Sequence, residues 1–184
     1  MTAPVRVRPG TPADADAAAG VFLACWHRSY ADVLPPEVRA RYDEAGARAM
    51  WRRIFATAEG VLVADVAGRG VCGVTRYGPD PDSDSGDATV GHVFSLYVHP
   101  DAQGLGLGRA LLDTATERLR AAGFREATLW VFAANAGARG FYERLGWRPD
   151  GGTRVEEAYG EPELRLRRDL TAASWSQGSW SQGS

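Results

Sequence analysis

The run VHPDAQGLGLGRALL, residues 98–112, sets three alternate glycines, Gly104, Gly106 and Gly108, between a strand-like stretch and the start of a helical one. Residues without a Cβ let a ligand approach the backbone closely. The unpaired amides of a helix's first turn, aided by the positive end of its dipole, then hold a phosphate or pyrophosphate. Two better-known glycine loops fail on residues. A dinucleotide fingerprint, GxGxxG, counted from Gly104 puts Arg109 where the third glycine belongs. A nucleoside-triphosphate loop needs GxxxxGK[ST], and the chain has no lysine. Groups that move protons are sparse: His27, His92 and His99, with ordinary pKa values of about 6.5, are the histidines. His27 follows Trp26 on a predicted helix and reads as structural or acceptor-lining. His99, in a VHP context, reads as a strand-end residue. The acidic run PDPDSDSGDA, 79–88, reads as a loop of solvated carboxylates, because the calcium-loop spacing with a distal glutamate is absent. Cys25 and Cys72 fall in a predicted helix and a predicted strand and read as buried thiols.

The elements that must position these groups follow from periodicity. Val5 to Arg8 alternates as a short strand. Thr11-Pro12 caps and starts a helix whose stripe of Ala18, Val21, Phe22, Cys25 and Trp26 ends near Arg28 or Ser29. Leu34-Pro35-Pro36 breaks the chain before a second helical stretch, 48–57. Strands over 61–66 and 71–77 form a hairpin, and a long strand over 89–98 leads into the glycine loop. The following helix buries Leu107, Leu111, Ala115 and Leu119 and runs to about Ala122. A strand over 126–132, a helix over 136–145 and a strand over 163–167, with Leu164 and Leu166 inward, complete the order. The pattern predicts an α/β domain: a mixed, mostly antiparallel central sheet with one parallel βαβ crossover, flanked by helices.

Two motifs give this pattern a resemblance. Gln103-Gly-Leu-Gly106-Leu-Gly108 after Val98-His99-Pro100 is similar to the [Q/R]xxGxG loop of the GCN5-related N-acetyltransferases. Asn135-Ala-Gly-Ala138-Arg-Gly-Phe141-Tyr142-Glu-Arg-Leu-Gly146-Trp147 resembles the family's NxxAxxFYxxxGF, with tryptophan for the last phenylalanine. The resemblance spans the opening strand to ELRLRRDL and implies transfer of an acetyl group from acetyl-coenzyme A to an amine. It implies that the backbone of Leu96, Tyr97 and Val98 pairs with the pantetheine arm. The amides of Gln103, Gly104, Leu105, Gly106, Leu107, Gly108 and Arg109 would grip the pyrophosphate, and Asn135 would touch the arm from the neighbouring strand. Tyr142 is then the acid for the departing thiolate, a phenol being only slightly more basic than the group it protonates. His92 stands where relatives often carry a glutamate and is the candidate base, directly or through water. Trp26, Tyr30 and Trp130 are candidates for lining the acceptor pocket, each with core packing as the alternative.

Composition bounds the rest. The chain has 184 residues, 45% hydrophobic and 24% charged, with a formal net charge of −2. That fits one globular domain, 1–170, and lacks the basic footprint of a nucleic-acid or anionic-membrane binder. The N-terminus has no apolar signal run, so a soluble cytoplasmic protein is expected, with acetyl-coenzyme A as cosubstrate, no metal, and a small-molecule or peptide amine as acceptor. A homodimer is a reasonable assembly, two-fold dimers being common. A non-catalytic acyl-coenzyme A sensor, or an enzyme acting on protein or aminoacyl-tRNA, are the alternatives. Residues 171–184, with WSQGS repeated, read as a low-complexity tail.

Overall fold

The computed structural model describes residues 4–82 and 89–171, so the WSQGS repeats and the middle of the acidic run lie outside the described residues. Seven strands form one sheet in the order β1-β2-β3-β4-β5-β7-β6. They are β1 (Val5–Pro9), β2 (Val61–Val66), β3 (Gly70–Pro79), β4 (Val90–Val98), β5 (Glu126–Phe132), β6 (Arg148–Val155) and β7 (Pro162–Asp169). All neighbours are antiparallel except β4 and β5. That parallel pair is joined by α4 (Leu107–Ala121), the crossover predicted from the alternation of strand and helix.

One face of the sheet is covered by α1 (Ala15–Ala24), α2 (Pro36–Arg39) and α3 (Glu44–Thr57); its core holds Phe22, Trp26, Trp51, Val63 and Val74. The other face is covered by α4 and α5 (Ala136–Arg144), which bury Leu112, Leu119, Leu129, Tyr142, Trp147 and Leu166. The apolar stripe of α1 continues beyond Ala24 as a widened π turn, Cys25–Ser29. There the Cys25 thiol donates to the Val98 carbonyl at 3.0 Å, tying the helix to the end of β4. Burial pushes that thiol up to about 11, so it stays protonated, in keeping with its reading as a packing residue. At the start of the chain Arg8 clamps Asp14 and Asp65 at 2.8 and 2.7 Å, joining β1, β2 and the entry to α1.

The predicted elements are present, with α3 beginning four residues earlier than its apolar positions suggested and the short α2 added. Strand β6 was not anticipated. Its sequence, RPDGGTRV, has the composition of a turn, yet it lies at the sheet's edge, where proline and glycine are tolerated. Its pairing with β7 jumps between Pro149 and Thr153. In β7 Leu166 is buried and Leu164 half-buried, as the alternation predicts. Glu163 on the opposite face is buried too.

Candidate active site

Strands β4 and β5 pair only from Val90–Glu126 to Val93–Leu129. Past that point they part. The cause lies in β4: between Arg76 and Tyr77 the register with β3 slips, Arg76 facing Ser95 and Tyr77 facing Val93, so Phe94 is an extra, bulged residue. From there to Val98, β4 remains bonded to β3 but is free on the β5 side. An extended ligand can take up this free backbone edge as a strand would.

The parting opens two cavities. The first, about 640 Å³, lies between the free edge of β4, the glycine loop and α5. Gly104 and Gly106 have φ of +80° and +82°, a conformation that favours glycine, and a Cβ at either would project into open space. Gly106 caps α4, and Ala110 N–H closes the first turn onto its carbonyl at 3.0 Å. The amides of 107–109 therefore have no intrahelical acceptor and are available to a phosphate. Leu96, Tyr97, Val98, Gln103, Leu107, Gly108, Arg109 and Asn135, the residues for which the resemblance implies cosubstrate contact, join this lining. Leu105, expected in the same grip, does not border this cavity; its side chain packs with the Leu62 and Leu107 cluster. Asn135 also caps α5, its Oδ1 accepting from Ala138 N–H at 3.0 Å. Arg109 and Arg144 supply positive charge at the rim. The donor set and the open edge fit a pantetheine pyrophosphate.

The second cavity, about 390 Å³, lies on the α1 face of the sheet. Trp26, Tyr30 and Trp130, the predicted acceptor-lining residues, all border it together with His92. Trp26 is at the same time a core residue, packed against Phe22 and Tyr42. Trp130 lies under the Arg154 guanidinium, 4.3 Å from ring centre, and donates its indole N–H to Asp82 at 3.4 Å. The two cavities meet along Tyr30, Leu96, Tyr97, Asn135, Ala138 and Tyr142. Burial raises the Tyr142 phenol well above its ordinary value. His27 is exposed and borders neither cavity. His99 accepts from Asp101 N–H at 3.2 Å, stays outside both, and caps a helical turn.

His92 is 4% exposed and does not stand alone. Its Nδ1 is 2.7 Å from Thr128 Oγ1, the residue paired with it across the parallel strands. Thr128 Oγ1 is 2.6 Å from Asp80 Oδ2. A carboxylate only accepts, so the single threonine proton goes to Asp80, and Nδ1 must donate to Thr128. The neutral ring consequently carries its proton on Nδ1 and its lone pair on Nε2. Burial lowers the His92 pKa, with the nearby Asp80 charge opposing the shift, so the ring is neutral at pH 7. The reading of 79–88 as solvated carboxylates is thus corrected at its first acid. Asp80 is 7% exposed and orders the base candidate from behind. Nothing in the composition of PDPDSDSGDA distinguishes Asp80 from its neighbours. Thr128 was legible only through the parallel register that sets it opposite His92. Among the described residues no cluster of histidine, cysteine and acid is arranged to hold a metal, and no helix is long and apolar enough to cross a membrane.

A mixed sheet parted at its parallel pair, with a glycine loop opening a helix on one side and a buried histidine on the other, is the architecture of an acyl-coenzyme A-dependent acyltransferase fold. The chain belongs to the GNAT acetyltransferase family, whose profile matches residues 23–147. A mycothiol acetyltransferase of Saccharomonospora viridis is 32% identical over 148 residues, 78% of this chain and 45% of the relative. A probable N-acetyltransferase of Mycobacterium tuberculosis is 28% identical over 158 residues, 81% of this chain and 83% of the relative. The chain spans less than half the length of the mycothiol acetyltransferases it matches. The fold is shared with an N-acetyltransferase of Thermoplasma acidophilum solved with coenzyme A, at a TM-score of 0.68 and 17% identity, covering 90% of this chain and 99% of that one.

Proposed function

We propose that this chain transfers an acetyl group from acetyl-coenzyme A to a primary amine of a small molecule, directly, with both bound at once. The observation that carries the reading is the junction of the two cavities at Leu96 and Tyr142. There a thioester held from the glycine-loop side meets an amine held on the His92 side. The cosubstrate supplies the activated acyl group; the chain's residues hold, orient and move protons. The amides of 104–109 and the free edge of β4 fix the donor. Relatives named mycothiol acetyltransferase support a small-molecule acceptor over a protein or RNA one.

His92 Nε2 takes the amine proton, directly or through one water, and the Asp80–Thr128 pair holds the ring in the tautomer that allows it. Tyr142 gives a hydrogen bond to sulfur as charge develops on it. With its phenol raised by burial, complete transfer to a thiolate of ordinary pKa about 8.5 is uphill, so Tyr142 acts through the O–H···S bond more than as a resting acid. Trp26, Tyr30 and Trp130 shape the acceptor chamber. Calorimetric titration with acetyl-coenzyme A, followed by free-thiol release against a panel of amines, tests the reading. Binding with amine-dependent release is expected; binding without release for any amine refutes catalysis.

A further inference from the structure

Two arginines line the acceptor chamber, and their surroundings differ. Arg154 is neutralised by Glu163 at 2.7 Å and Glu156 at 2.8 Å. Arg76, on β3 one position before the β-bulge, has no carboxylate partner among the described residues. Its Nε is buried without a hydrogen-bond acceptor. Burial depresses the Arg76 pKa, which means that the fold holds this charge partly dehydrated without a carboxylate to offset the cost. Its guanidinium is held over the Phe94 ring, 5.0 Å from the centroid, which fixes its place in the chamber wall. A planar, half-buried guanidinium with an unused donor is suited to a carboxylate, which it can bind with two parallel N–H···O bonds.

The distance to the base candidate limits what that carboxylate belongs to. The His92 ring lies 4.9 Å from the same Phe94 centroid, so Arg76 Cζ and the imidazole are at most about 10 Å apart. A guanidinium–carboxylate contact takes about 4 Å, carbon to carbon, and an imidazole–amine hydrogen bond about 4 Å from ring centre to nitrogen. Laid end to end, the two contacts span about 8 Å of a separation that is at most about 10 Å, so the amine and the carboxylate of one compact molecule can reach both residues at once, and the ~2.5 Å between nitrogen and carboxyl carbon across one tetrahedral carbon suits that reach. Resting on the acetyl-transfer reading above, we infer that Arg76 is the carboxylate-binding residue of the acceptor site and that the acceptor is a free α-amino acid, acetylated on its α-nitrogen. In that reaction the α-nitrogen bonds to the acetyl carbon, the carbon–sulfur bond breaks with its electron pair on sulfur, the amine's proton passes to His92, and coenzyme A departs as a thiolate, hydrogen-bonded by Tyr142, that takes its proton from solvent as His92 returns its own there.

The test compares L-amino acids with their carboxamides and with the decarboxylated amines, in the wild type, Arg76→Met and Arg76→Lys. Methionine keeps the aliphatic packing on Phe94, and lysine keeps the charge without the fork. The wild type should prefer the acid over the amide by about 10- to 100-fold in kcat/KM, the effect of a charge-assisted pair. This preference runs against amine basicity, because amides have the larger free-amine fraction. Arg76→Met should reduce the preference to below about 3-fold, with lysine intermediate, while the affinity for acetyl-coenzyme A stays unchanged. Calorimetry of amino acids on the protein loaded with coenzyme A gives a readout that does not need turnover. Amino-acid binding that is lost in Arg76→Met, without thiol release in the wild type, upholds the carboxylate site and refutes acetyl transfer. Equal binding and equal kcat/KM for acid and amide in the wild type overturn the site.

Discussion

Substituting Thr128 by valine removes one hydroxyl and almost no volume, and it isolates the contribution of the buried relay. Thr128 is fully buried, so water cannot replace the lost oxygen. Asp80 loses a 2.6 Å donor and His92 Nδ1–H a 2.7 Å acceptor. One of these bonds involves an ionised group, and the net loss should be about 3 kcal/mol, or about 10 °C in Tm for a chain of this size. The catalytic consequence is separable. In the variant Nδ1 faces a methyl group, and a buried N–H without an acceptor is disfavoured by about 1–3 kcal/mol relative to the tautomer protonated on Nε2. The lone pair then points away from the acceptor, and kcat should fall about 5- to 150-fold with little change in acetyl-coenzyme A affinity. Imidazole ¹⁵N chemical shifts at pH 7 read the tautomer without turnover: Nδ1 protonated in the wild type, Nε2 protonated in Thr128→Val. A wild-type ring protonated on Nε2, or a variant with unchanged tautomer and rate, refutes the reasoning.

Gly106→Val places a β-branched residue at φ +82° and fills the space that the loop leaves open; acetyl-coenzyme A affinity should fall at least tenfold, as calorimetry can show. Tyr142→Phe should lower kcat about 10- to 100-fold in steady-state assays while leaving cosubstrate affinity near wild type, since only the O–H is lost. Asp14→Asn should cost about 2 kcal/mol in denaturant unfolding at pH 7, by loss of charge-assisted bonds to Arg8. Because Arg8 depresses the Asp14 pKa, that stability is present above the ordinary value of 3.8 and is lost as pH falls below it; the difference between variant and wild type should shrink there. His92 has a depressed pKa for a different reason, burial. Stability should therefore be flat above pH 6.5 and decline as pH falls below it toward the folded value, a decline that His92→Gln removes.

Which parts of the site could be read from the sequence follows from the kind of physics that fixes each part. The glycine loop was legible because its geometry is a backbone property: the left-handed φ at Gly104 and Gly106 favours glycine, so the requirement is written in residue type. The helices and central strands were legible because burial on one face imposes a period. Strand β6 was not, since an edge strand with proline and paired glycines carries no period to detect. Asp80, Thr128 and Arg76 belong to a third kind, residues whose meaning depends on register. Thr128 is an unremarkable strand threonine until the parallel pairing sets it beside His92, and Arg76 matters because a one-residue slip at Phe94 ends the pairing of β4 with β5 and opens the chamber next to it. The same bulge therefore creates the free edge proposed for the donor and places Arg76 and His92 around one phenyl ring. Removing it would have a signature that no single side-chain change shares. Deleting Phe94, so that β4 regains regular register, should lose cosubstrate affinity and amino-acid binding together, while the glycine loop, α4 and the sheet remain folded.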